Sequence, residues 1–222
     1  MIELPEALNF AKQLQNTIAG KTVSRVLPPT KAHKFCWYSG EPTEYDEKIR
    51  GHGVRSAEGF GIFVEITFDN GQRLCINDGV NMRFVNGDDA NATKNYQLKV
   101  EFTDGTALVL TVAMYGGIIM HDGTYDNEYY RKSRNAFSPF SPGFEGHFRK
   151  LVAESKPTLS AKAFLATEQR FPGIGNGVLQ DILFVAEIHP KRKIGKLTDQ
   201  EVENLLSAVV SVLREMTELG GR

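Results

Sequence analysis

Apolar positions near the start of the chain recur every three or four residues. Leu4, Leu8, Ala11, Leu14 and Ile18 make one stripe, with Pro5 in the first turn and Gly20 behind, which predicts a helix over 4–19. The spacing then changes to two. A strand is predicted over 22–27, stopped by Pro28-Pro29, and a hairpin over 61–68 and 72–77 around Asp69-Asn70-Gly71. Residues 96–103 alternate, with Tyr96, Leu98, Val100 and Phe102 on one face; Asp104-Gly105 turns the chain back into 106–114. Strands following one another without helices between them predict an antiparallel sandwich or barrel.

From Asp122 to Gly146 the composition turns to Tyr, Asn, Ser, Pro and Gly, and the pattern beyond is helical. Helices are expected over 147–154, over 159–169 with Thr158 or Ser160 as cap, from Asn176, and over about 199–219. The last carries a capping box, Thr198 with Glu201, and the stripe Val202, Leu205, Val209, Val212, Met216. The fold class is therefore α+β: an N-terminal antiparallel β-sandwich with a leading helix over 1–125, a linker over 126–145, and an all-helical domain over 146–222. A cleft between two such domains is the usual place for a ligand.

The densest local signal is Phe171-Pro-Gly-Ile-Gly-Asn176, a glycine turn feeding a helix, followed one helix later by His189-Pro-Lys-Arg-Lys193. Asn176 sits where an N-cap belongs, and a helix N-terminus reached through glycines offers unpaired N–H groups and a positive dipole end to an anion. A plain capped helical hairpin is the alternative, and the second basic turn draws level with it. The segment Lys31-Ala-His-Lys-Phe-Cys-Trp-Tyr38 mixes bases with aromatics; it fits an amphipathic edge strand better than a nucleic-acid surface, and both readings stand.

Composition alters this picture little. In 222 residues, 41% are hydrophobic and 24% charged, which suits a globular protein with a real core, and the net charge of −1 advertises no global affinity for nucleic acid. Locally, 11 Lys or Arg stand against 5 Asp or Glu between Arg131 and Lys193. Cys36 and Cys75 are far apart without companion ligands and are expected to be reduced residues of a cytosolic protein. No apolar run approaches a membrane span and no signal peptide precedes Glu3, so a cytoplasmic location is expected.

Gly173-Ile-Gly175-Asn176, then Ile182-Leu-Phe184 and Ile188-His-Pro-Lys191-Arg192, closely resemble the helix-two-turn-helix motif of the formamidopyrimidine-DNA glycosylase / endonuclease VIII family. The opening Met1-Ile-Glu-Leu-Pro-Glu6 is similar to that family's Met-Pro-Glu-Leu-Pro-Glu. The resemblance implies a monomeric partner of double-stranded, damaged DNA, associated with the nucleoid and holding DNA in the interdomain cleft. It implies phosphate contacts from Lys162, Gly173, Gly175, Asn176, Lys191 and Arg192, with Arg83 in a plausible position. It also implies base-excision glycosylase and AP lyase chemistry by an N-terminal amine and the adjacent glutamate, here Met1 and Glu3. The family's C-terminal zinc finger would begin after Gly221; no cofactor is expected within this chain, and zinc enters only with a finger beyond it.

Three catalytic positions depart from the family. Ile2 replaces the proline, and since initiator methionine is trimmed only before small residues, Met1 is expected to stay. Phe60 stands where the family has a lysine. The arginine-bearing loop aligns to Val112-Ala-Met-Tyr-Gly116, which leaves Met114 or Tyr115 as wedges or as well-packed strand-end residues. Three readings follow: a glycosylase/lyase with full or residual activity, a non-catalytic binder of damaged or bent DNA, and a binder of structured RNA, as with similar motifs in a small-subunit ribosomal protein. The N-terminal resemblance and the β domain count against the third.

Overall fold

A computed structural model describes residues 1–92 and 94–222, with side chains described at 1–89 and 94–222. The helices are α1 (Leu4–Ile18), α2 (Tyr45–Ile49), α3 (Gly87–Ala92), α4 (Glu128–Arg134), α5 (Phe144–Glu154), α6 (Ala161–Ala166), α7 (Asn176–Val185) and α8 (Asp199–Glu218). The strands are β1 (Val23–Leu27), β2 (Cys36–Tyr38), β3 (Val54–Phe60), β4 (Phe63–Phe68), β5 (Arg73–Val85), β6 (Leu98–Phe102) and β7 (Ala107–His121). The chain divides into two compact units. One holds residues 1–2, 10–59 and 63–126; the other holds 3–9, 60–62 and 127–222.

In the first unit the order β1-β6-β7-β5-β4-β3 makes one hydrogen-bonded sheet, with β2 added to β7. A sandwich or barrel of antiparallel strands is the sequence expectation; the backbone forms one curled hydrogen-bonded sheet, antiparallel except for its β2–β7 pair. The cause is strand length. β5 spans 13 residues and β7 spans 15, and the two pair from Arg73↔His121 to Val85↔Ala107. A bulge between Asp78 and Val80 breaks that ladder, and bulges bend and twist the strand that carries them. Gly79 lies against the break: a Cβ there would sit 2.6 Å from the Tyr115 carbonyl.

Alternation places Leu74, Ile76, Leu98, Leu108, Leu110 and Ile118 in the core. Beneath the sheet Tyr45 is fully buried, and its hydroxyl accepts from Ser39 N at 3.0 Å and lies 3.0 Å from the Ile118 carbonyl. Cys36 and Cys75 are both buried as thiols rather than joined in a disulfide, and burial pushes the Cys36 thiol up from its ordinary pKa.

The second unit is helical around an aromatic core. Phe148, Phe164 and Phe171 stack with centroids 5.3 to 5.5 Å apart, joined by Ile182, Leu205, Val209 and Leu213. The capping box at Thr198 and Glu201 is present with both bonds, and Ser160 rather than Thr158 caps α6 by accepting from Ala163 N. Residues 126–145, expected as a linker, contain α4: Asn127 accepts from Tyr130 N, a cap that the polar composition of the segment hides. Among the described residues no helix is long and apolar enough to cross a membrane.

Candidate functional site

The glycine turn is built by packing. Gly173 has φ +92 and is buried, and a Cβ there would lie 2.6 Å from the Gly61 carbonyl and 2.8 Å from the Leu4 Cβ. Its own carbonyl accepts from Leu4 N at 2.9 Å. Only glycine fits such a position, so the turn docks directly onto the chain entering α1.

The cap of α7 is not the one expected. Gly175 is the N-cap, and Asn176 is the first helical residue with an exposed side chain. The capping acceptor comes from the other end of the sequence. Glu3 Oε1 accepts from Gly177 N at 3.0 Å and Oε2 accepts from Val178 N at 2.8 Å. Glu3 is 8% exposed, and a carboxylate on a helix N-terminus gains from both hydrogen bonds and dipole. A side chain on Gly175 would run into the Glu3 carboxylate. Asn176 is thereby released from capping, because a longer, charged acceptor already holds the helix end.

Glu3 leaves the N–H groups of Gly175 and Asn176 without an acceptor among the described residues. Beside them runs a groove of about 540 Å³ lined by Lys162, Asn176, Leu179, Leu183, Phe184 and Pro190. Phe184 is 83% exposed. Lys162 is brought to the second basic turn, its N–H donating to the Pro190 carbonyl at 3.0 Å. Lys191 is exposed at that turn, whereas the Arg192 guanidinium is committed to the Lys196 carbonyl at 2.8 Å and to Glu201 at 3.1 Å. Glu3, Lys162, Gly173, Gly175, Asn176, Lys191 and Arg192 thus share one unit; Met1 and Arg83 lie in the other, Arg83 exposed on β5 opposite Val109.

Around Met1 the sheet supplies two hydrogen bonds. Ile2 N donates to the Asp78 carbonyl at 2.6 Å, with Ile2 only 3% exposed. Tyr115 donates its hydroxyl to the Met1 sulfur at 2.9 Å. Asp78 takes φ +55 at the bulge, a conformation Asp tolerates better than most residues. Burial raises the pKa of its carboxyl, and the nearby N-terminal ammonium opposes that shift in part. Asp78 escapes a sequence reading because only the bulge carries it to the N-terminus. Phe60 packs edge-to-face on Tyr130 at 5.5 Å, with the Arg134 guanidinium 4.1 Å above its ring. Among the described residues no cluster of three His, Cys, Asp or Glu could hold a metal ion.

Comparison with known proteins bears out the resemblance. No family model matches the chain. Its homologues are formamidopyrimidine-DNA glycosylases; that of Brevibacillus brevis is 26% identical over 223 residues, covering all of this chain and 79% of the relative. Among solved structures, a complex between the Lactococcus lactis Fpg and DNA containing an abasic site matches with TM-score 0.81 and 20% identity, over 99% of this chain and 81% of that one. A complex of the wild-type Lactococcus lactis Fpg with DNA containing an oxidised pyrimidine matches with TM-score 0.82, again at 20% identity and over the same shares. These likenesses show the fold.

Two outcomes are expected from this geometry. Glu3→Ala leaves two N–H groups of α7 unmet and should cost about 1–3 kcal/mol, while Glu3→Gln, which keeps one acceptor, should cost less. Urea unfolding followed by helical circular dichroism checks both, and an unchanged Glu3→Ala midpoint would remove Glu3 as the cap. For Asp78, a folded-state pKa above the unfolded one means a penalty that is absent at acid pH and develops as pH rises through the unfolded value. Asp78→Asn should therefore raise the unfolding midpoint at pH 7 and leave it unchanged near pH 3; equal effects at both pH values contradict the desolvation argument.

Proposed function

We propose that this chain is a DNA-repair protein of the base-excision type, which binds damaged double-stranded DNA and has weak chemistry of its own. The observation that carries the reading is the α7 entrance: two N–H groups without an acceptor, at a positive helix end, with Asn176 and Lys162 on the same groove. Two backbone donors and the Lys162 ammonium suit a phosphate oxygen, although the Glu3 carboxylate holds the next two N–H groups of the helix end and Glu187 also lines the groove. The relatives' names and the DNA-bound neighbours support the choice of DNA. In this reading the curled sheet belongs to a sandwich-type half over 1–125, and 146–222 is a helix-two-turn-helix half across the segment 126–145.

The nucleophile open to the protein is the Met1 α-amine, whose neutral form can attack a carbonyl carbon. Its nitrogen attacks the aldehyde carbon of an opened abasic sugar, water leaves, and an imine forms. Two features weaken this step. Ile2 fills the proline position and its nitrogen is tied to the Asp78 carbonyl, so the amine projects one residue further out. Displacement of a reacting group by about 1 Å costs on the order of 100-fold in rate. Phe60 also presents a ring where a lysine would hold a phosphate, and both Glu3 oxygens already face backbone N–H groups. The same features support a second reading, a binder of damaged or bent DNA without catalysis.

Borohydride trapping on a duplex containing an abasic site separates the two. A slow adduct mapping to Met1, abolished by N-terminal acetylation, supports weak chemistry; binding without any adduct supports the pure binder. Efficient excision of oxidised purines that survives acetylation places the chemistry elsewhere and overturns the Met1 assignment.

Lys162→Ala should reduce the slope of log affinity against log salt by about 1, and Asn176→Ala should weaken all duplex sequences alike, because phosphate contacts carry no sequence information. Unchanged affinity of both variants at low salt would remove the α7 entrance as the phosphate site.

A further inference from the structure

Four large apolar side chains are exposed on the β unit: Met1 at 72%, Phe35 at 48%, Trp37 at 52% and Met114 at 72%. The backbone brings the segment that carries two of them to β7. β2 pairs in parallel with β7, Cys36 opposite Gly116 and Trp37 opposite Gly117, and Gly116 N donates to the Phe35 carbonyl at 3.0 Å. Cys36 points inward and its strand neighbour Trp37 outward, while Phe35 lies in the turn that leads directly into β2 and is likewise exposed. The Trp37 and Tyr115 rings lie with centroids 6.4 Å apart, and Tyr115 reaches the Met1 sulfur.

The patch is interleaved with positive charge. Lys34 Nζ stands 5.3 Å over the Phe35 ring, and Lys31 and His33 precede it with no acidic residue between 31 and 40. His33 Nδ1 accepts from Phe35 N at 3.3 Å, which fixes the turn that presents Phe35. Nothing in the core requires rings at 35 and 37, since the buried side of this strand is Cys36. Exposed rings on alternate positions, with cations on the same segment, match a strand of unpaired bases: each base offers a π-face to a ring and each phosphate a charge to a lysine.

We propose that Phe35 and Trp37, with Lys34, form a stacking rail for unpaired nucleobases next to the Met1 amine. The proposal rests on the DNA reading above and deepens it: the preferred ligand has single-stranded or unstacked bases, not an intact duplex. The rail is separate from the α7 entrance, which recognises phosphate whatever the bases do.

Trp37 is the single tryptophan of the chain, so its emission reports on the rail directly. The protein is titrated with a fluorescein-labelled duplex carrying a three-nucleotide single-stranded gap and with the same duplex intact. Anisotropy follows binding while, with unlabelled DNA, tryptophan emission follows stacking. The gapped duplex should quench Trp37 and bind more tightly than the intact one. Trp37→Leu should weaken gapped-duplex binding about 5- to 100-fold with little change for the intact duplex, and Trp37→Phe should restore most of it. Thermal unfolding of each variant guards against loss of fold, and Phe35→Ala gives a second route with Trp37 still reporting. Saturable binding of gapped DNA with constant Trp37 emission overturns the rail and leaves the DNA reading standing, as does a Trp37→Leu loss equal on both duplexes. Absence of binding to either DNA overturns both.

Discussion

The carboxylate of Glu3 on the N-terminus of α7 is the contact from which the rest of the helical unit's geometry follows. It joins residues 174 and 175 positions apart in sequence and replaces the local cap that a helix start normally supplies. Because the capping group arrives from outside the helix, the preceding turn has to let it in, which is why Gly175 carries no side chain and why Gly173 closes against Leu4 and Gly61. The same contact frees Asn176 to face the groove with Lys162. One acidic residue thus fixes the chain entry, the glycine spacing and the orientation of a polar side chain together. The C-terminal turn reinforces the assembly: Glu6 accepts from Glu3 N at 3.0 Å and from Arg222 N at 2.6 Å, and Arg222 pairs with Asp181 on α7 itself.

Much of the fold is legible in the sequence because it depends on local periodicity. The α1 stripe, the α8 capping box and the alternation of 98–102 are each written within a dozen residues. What depends on distant partners is not. Nothing local to Asn176 says that Glu3 has taken the cap, and nothing near Asp78 says that a bulge carries it to Met1. The lengths of β5 and β7 escape as well. Gly79, Gly116 and Gly117 lie inside these strands where neighbours leave no room for a side chain: a Cβ would lie 2.6 Å from the Tyr115 carbonyl at Gly79 and 2.6 Å from the Asn77 Oδ1 at Gly117. α4 is missed for a different reason, since its helical signal is a single Asn cap in a stretch whose composition suits a linker.

Recognition and chemistry rest on different kinds of group in this chain, and that difference explains how one set of motifs can be intact while another has changed. The proposed phosphate site rests on backbone N–H groups, a helix dipole and the room that glycine leaves, to which the Asn176 and Lys162 side chains are added. The proposed chemistry needs individual side chains at fixed distances: an amine at the chain start, a cation at position 60, an arginine in the 112–116 loop. In the proposed reading, Ile2, Phe60 and Met114 stand where such groups would be needed. Phe60 in fact gains packing on Tyr130 and the Arg134 guanidinium, so the position is stabilised as an aromatic one. A scaffold held by Glu3, Gly173 and the aromatic core tolerates such exchanges, whereas a reaction coordinate does not. Within the proposed reading, binding outlasts catalysis for that physical reason: the backbone groups that meet phosphate also hold the fold, whereas the Met1 amine caps no helix and closes no turn.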